Sequence, residues 1–158
     1  MNPLTIEPKR YFLVGMPASG KTHTAQLLAQ DWHWNCADTD ILIEQATGQS
    51  IPDLFRNKGE AHFRQLEQKI LRDCLHLEQT IIATGGGLPC FADNMALMLQ
   101  HGCVIWLDPD LQTLHERVLQ QGQQRPLFAE QSPQDIWQKI QTLYQQRKPF
   151  YEQAHFRF

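Results

Sequence analysis

Apolar residues along this chain fall into short unbroken runs and into longer segments where they recur every three or four positions. Four runs, at 11–14, 34–37, 80–83 and 104–107, have the length and β-rich makeup of buried strands. A weaker fifth run occupies 155–158. Helical spacing predicts helices over 22–30, 41–46, 51–57, 60–77, 92–100, 111–121 and 133–153. The 60–77 segment is the clearest, with Phe63, Leu66, Ile70, Leu71 and Cys74 on one stripe. In the first helix Leu27 and Leu28 read as the inward side. Strands alternating with helices predict an α/β fold, a parallel sheet covered on both faces. The longest segment without a period is 122–132, and a loop of that length in a compact domain reads as a lid.

Bulk properties narrow the picture. At 158 residues the chain reads as a single domain, 1–158, with a core from about residue 9 onward. A net charge of −3 argues against nucleic acid as a partner, which favours a basic surface. No apolar run approaches the roughly 20 residues of a membrane span, and residues 1–8 lack a signal-peptide core. Cys36, Cys74, Cys90 and Cys103 show no C-x-x-C pair, and the seven histidines show no ligand spacing. The cysteines read as small buried side chains of a reduced, cytoplasmic protein.

The chemistry starts at Gly15-Met16-Pro17-Ala18-Ser19-Gly20-Lys21-Thr22, which fits G-x-x-x-x-G-K-[ST] between a strand and a helix. Such a turn aims backbone N–H groups at one point, where a phosphate sits. Lys21 adds a point charge for the outer phosphates of a nucleoside triphosphate, and the Thr22 hydroxyl can ligate Mg²⁺. A carboxylate must stand beside them, and two strands end in one: Asp108, and the pair Asp38 and Asp40. Asp108 precedes a proline and a helix, which suits a turn or N-cap. The pair offers both a metal carboxylate and a group to orient or deprotonate a hydroxyl. Thr84-Gly85-Gly86-Gly87 follows the third strand, at the sheet edge where open α/β folds bind ligands.

Further motifs follow in order: Gly59-Glu60 leading to Phe63-Arg64 and Glu67, then Arg125-Pro126-Leu127, then Arg147-Lys148-Pro149-Phe150-Tyr151. From Tyr11 to Phe158 the ordered set resembles the shikimate kinases, small P-loop kinases of aromatic amino-acid biosynthesis. The resemblance implies a three-layer αβα fold around a five-stranded parallel sheet, with the lid at 122–132. It implies ATP-dependent phosphorylation of shikimate to shikimate 3-phosphate with Mg²⁺, by a monomer. Shikimate would sit among Asp40, Arg64, Glu67, Gly86, Gly87 and Arg147, with the two arginines clamping its carboxylate. Asp38 would act on Mg²⁺ through a water, and Lys21 and Arg125 on the transferring phosphoryl group. Arg117 would pack on adenine.

Two departures stand out. Phe128 occupies a position where the family more often has leucine. The family normally continues past the last strand with an adenine-covering loop and a terminal helix, whereas this sequence stops at Phe158; a weaker hold on adenine is the expectation. Alternatives are a related small-metabolite kinase, such as one acting on gluconate, or a nucleotide-binding protein without catalysis.

Overall fold

The computed structural model describes residues 7–121 and 126–158. Strands β1 (Arg10–Val14), β2 (Asn35–Asp38), β3 (Thr80–Ala83), β4 (Cys103–Trp106) and β5 (Phe156–Arg157) form one sheet. Their order is β2-β3-β1-β4-β5, and every pairing is parallel. Among the described residues the connecting α-helices are α1 (Lys21–Trp32), α2 (Thr39–Thr47), α3 (Ile51–Cys74), α4 (Asn94–His101), α5 (Leu111–Gln121) and α6 (Pro133–Tyr151).

Strand alternation sorts the core into two layers. Phe12 and Val14 of β1 join Ile82, Val104 and Trp106 in the larger cluster, packed by Phe63 and Ile70 of α3, Met98 of α4, Val118 of α5 and Ile140 of α6. Leu13, Ile81 and Ala83 face the other way, onto Ala25 and Ala29 of α1. The expected three-layer arrangement is therefore the observed one. β1 lies at the centre with β3 and β4 on either side, so the chain reverses its direction of travel beside it. The carboxyl ends of these strands flank the crevice where such sheets bind ligands.

Local chemistry explains most boundaries. Ser50 accepts from the Asp53 amide at 3.2 Å, and Ser132 accepts from the Asp135 amide at 3.1 Å, capping α3 and α6. The predicted helices 51–57 and 60–77 run together as α3, with Gly59 at φ 81° and ψ 172° marking the kink between them. That conformation suits glycine, which lacks a Cβ.

Other expectations need correction. Leu27 is half exposed, and α1 meets the sheet through Ala25 and Ala29. Small side chains bring that helix close to the strands, a demand that helical period alone does not express. β2 is only half buried or exposed because it is the edge strand, and Cys36 on it is exposed rather than buried. Residues 126–128 form a short 3₁₀ turn with Phe128 buried. The rest of the first part of the expected lid, including Arg125, lies outside the described residues. No described helix is long and apolar enough to cross a membrane.

Candidate active site

The turn from β1 into α1 begins with Gly15 at φ 147°, where a Cβ would meet the Leu107 carbonyl oxygen at 2.5 Å. Only glycine lets the turn pass that close to the strand end. Gly20, at φ 92°, is the N-cap of α1, so the first-turn amides of the helix open into the crevice. Lys21 is buried, and its Nζ donates to the carbonyl oxygens of Gly15 and Met16 at 2.9 and 2.8 Å. It also reaches Ser19 Oγ at 3.3 Å. The ammonium is thus held across the loop made by Gly15, Met16, Pro17, Ala18 and Ser19. Arg117 of α5 donates to the Ala18 carbonyl at 3.1 Å, which places it beside the loop from the opposite side.

At the end of β2, Asp38 caps α2, with Oδ1 accepting from the amides of Asp40 and Ile41 at 2.9 and 3.4 Å. That cap turns Oδ2 toward Thr22, whose hydroxyl donates to it at 2.6 Å. Two oxygen donors therefore stand together at the phosphate loop. Among the described residues no group of three or more His, Cys, Asp or Glu converges as a metal site. A hydroxyl and one carboxylate fit Mg²⁺, which keeps most of its shell as phosphate oxygens and waters.

Across the crevice, α3 presents Arg64 and Glu67 one turn apart. Arg64 Nη1 bonds Glu67 Oε2 at 2.5 Å, and Nη2 reaches Glu60 Oε1 at 3.3 Å. Glu67 falls on the buried stripe of α3 and is 1% exposed. Burial pushes its carboxyl up to about 7 against the pull of Arg64, with Asp40 raising it further and Arg147 lowering it. The Glu67 and Glu60 carboxylates hold the Arg64 guanidinium above its ordinary value, overriding the effect of burial.

The glycine loop sits in the middle of these charged ends. A Cβ on Gly85 would stand 2.7 Å from Glu67 Oε1 and 3.0 Å from Asp40 Oδ1. One on Gly86 would be 3.0 Å from Arg147 Nη1, and one on Gly87 2.6 Å from both terminal nitrogens of Arg64. Arg147 reaches this point from α6. The loop is fixed from behind: the Gly85 amide donates to Thr39 Oγ1 at 2.9 Å, and Tyr151 Oη donates to the Gly86 carbonyl at 2.6 Å.

A cleft of about 1250 Å³ joins the two sides, lined by Lys21, Thr22, Asp38, Arg117, Asp40, Arg64, Glu67, Gly86, Gly87 and Arg147. Of the candidate residues, Gly15 and Met16 do not line the cleft, and Arg125 lies outside the described residues. Asp108 has another task. Its Oδ2 takes Arg157 Nη2 at 2.7 Å and Nε at 2.9 Å, while Asp110 caps α5 by accepting from the Thr113 amide at 2.9 Å. The cap expected at Asp108, as one of its two readings, therefore falls two residues on, at Asp110. Thr39 and Tyr151 stood within the sequence motifs without a role of their own, and Lys139 was not singled out. Lys139 lines the cleft and donates to the Leu127 carbonyl, tying α6 to the turn that follows Arg125. Nothing in a threonine at a helix start or an aromatic at a helix end marks either as part of a site.

The geometry has close relatives. A family model described as shikimate kinase matches residues 17–158. The shikimate kinase of Synechococcus elongatus is 42% identical over 146 residues, 92% of this chain and 74% of that protein. That of Phocaeicola vulgatus is 37% identical over 149 residues, 94% of this chain and 85% of the relative. Shikimate kinase from Acinetobacter baumannii in complex with shikimate has TM-score 0.89 and 31% identity, covering 96% of this chain and 83% of its own. The Bacteroides thetaiotaomicron enzyme has TM-score 0.91 and 34% identity, covering 94% and 85%. On this match of sequence and architecture, the chain belongs to the shikimate kinase family.

Proposed function

We propose that this chain transfers the γ-phosphoryl group of ATP to shikimate, giving shikimate 3-phosphate and ADP. One observation carries the reading: a phosphate loop, a pair of arginines suited to a carboxylate and Asp40 line one cleft. The family membership and the shikimate bound to the Acinetobacter relative support the same acceptor.

The residues divide the work. The loop Gly15–Thr22 and the first-turn amides of α1 hold the phosphates, and Lys21 leaves its carbonyl partners to neutralise the group in transfer. Thr22 and Asp38, the latter through a water, would hold Mg²⁺, which when bound screens phosphate charge. Arg64 and Arg147 fork onto the shikimate carboxylate, with Glu67 keeping Arg64 in place. Asp40 accepts from the reacting hydroxyl and orients it toward the phosphate. Arg125, by its place before Pro126-Leu127, would meet the same phosphoryl group, and Arg117 the nucleotide base.

A coupled ADP-release assay with shikimate, gluconate and no acceptor tests this directly. Shikimate is expected to raise turnover far above the background hydrolysis. Faster turnover of gluconate, or no stimulation by shikimate, would overturn the reading.

A further inference from the structure

We propose that Tyr151 is a positioning residue for the acceptor, holding the Gly86–Gly87 peptide and Arg147 as one unit; this rests on the shikimate kinase reading above. Tyr151 closes α6 four residues after Arg147, so the two side chains share a helix face. Its ring is fully buried against Trp106, with centroids 5.8 Å apart. The helix end does not need the hydroxyl: the Glu152 amide donates to the Lys148 carbonyl at 2.9 Å, and the Ala154 amide to the Tyr151 carbonyl at 3.0 Å. The hydroxyl instead donates to the Gly86 carbonyl at 2.6 Å.

That single bond orients a peptide. The described chain has no cis peptide, and in a trans peptide the carbonyl and the following N–H point in opposite directions. Pinning the Gly86 carbonyl toward α6 therefore turns the Gly87 N–H away from Tyr151. Gly86, Gly87, Arg64 and Arg147 line the cleft, and Tyr151 does not. Arg147 interacts with the same Tyr151 hydroxyl, and a Cβ on Gly86 would lie 3.0 Å from its Nη1. Loop and guanidinium share one tight space, so a shift of one displaces the other. Tyr151 touches neither substrate; it fixes two groups that meet shikimate.

The test is Tyr151→Phe beside Trp106→Phe, with KM for each substrate, kcat and Tm measured for both and for the wild type. Tyr151→Phe keeps the ring and removes the hydroxyl, leaving a buried carbonyl without its donor. Its KM for shikimate is expected to rise roughly tenfold, with KM for ATP and kcat within about twofold. Trp106→Phe perturbs the same packing and is expected to lower Tm without moving the shikimate KM. An unchanged shikimate KM in Tyr151→Phe overturns the proposal. So does a rise for both substrates in step with lost stability. Should that variant fail to fold, the wild type decides: the Gly87 amide resonance must shift when shikimate is added, and its indifference overturns the proposal. A wild type that turns over ATP without any response to shikimate sinks the functional reading itself, and this inference with it.

Discussion

The three glycines at 85–87 are explained by what crowds them, and the kind of neighbour decides what a substitution does. At Gly87 an added Cβ meets the ends of Arg64, 2.6 Å away. A guanidinium can swing aside where backbone cannot, but it then leaves the carboxylate clamp and loosens its pair with Glu67. Gly87→Ala is therefore expected to keep its Tm within a few degrees and to raise the shikimate KM at least tenfold, the loss of about 1.5–3 kcal/mol for a bond to a charged group. At Gly15 the neighbour is the Leu107 carbonyl at 2.5 Å, and φ is 147°. Backbone cannot swing aside, so Gly15→Ala is expected to lose stability by more than about 1 kcal/mol as well as ATP binding. Melting curves and the two KM values for both variants check the contrast. A Gly87→Ala enzyme with an unchanged shikimate KM would place Arg64 outside the acceptor site.

Helix α3 shows how an element carries both core and chemistry. Phe63, Ile70, Leu71 and Cys74 seal one stripe of it, and Glu67 occupies the same stripe. The phosphate loop, the Asp38 and Asp40 pair and the alternation of strands and helices were legible from the sequence; Glu67 entered only through the family resemblance, and its burial did not show. Contacts between elements were not legible either. Ala25 and Ala29 replace Leu27 because α1 lies close to the sheet, and Asp108 is taken by Arg157 from the far end of the chain. Tyr151 stood in a motif with Arg147, but its hold on the Gly86 carbonyl did not show. The buried Glu67 also has a consequence for stability. Its folded value is about 7 against an ordinary 4.5, so the folded state keeps a proton that the unfolded chain releases earlier. The resulting stabilisation is full below the ordinary value and is lost as pH rises through about 7. Glu67→Gln lacks this titration. The Tm of the wild type minus that of Glu67→Gln is expected to fall between about pH 5 and about pH 8. A constant difference would mean that Glu67 titrates normally in the fold.

Across the whole molecule, the last strand is tied to the sheet by more than its short ladder. β5 pairs with β4 through Ile105 and Trp106, and the Phe158 carbonyl accepts from the Asp108 amide at 2.5 Å. Arg157 then lies over the Trp106 ring at 4.6 Å and pairs with Asp108, whose side chain is 8% exposed. Asp108 follows Leu107, whose carbonyl backs Gly15, so this pair joins the final residues to the floor of the phosphate loop. Among the described residues, removing the cation leaves the Asp108 carboxylate with the Tyr144 hydroxyl, 3.3 Å away. Fully buried pairs lose about 3–5 kcal/mol when one partner goes. Arg157 is 60% exposed, so Arg157→Ala is expected to cost about 2 kcal/mol after solvent screening. The cost should come mainly from stranding Asp108 rather than from losing an attraction. Asp108→Asn in the Arg157→Ala background removes the stranded charge and is expected to restore roughly 1 kcal/mol. Urea unfolding midpoints for the two single variants and the double variant measure this. A double variant as unstable as the sum of the singles would show that the pair contributes through independent contacts, and that β5 is held by its ladder and by Trp106 alone.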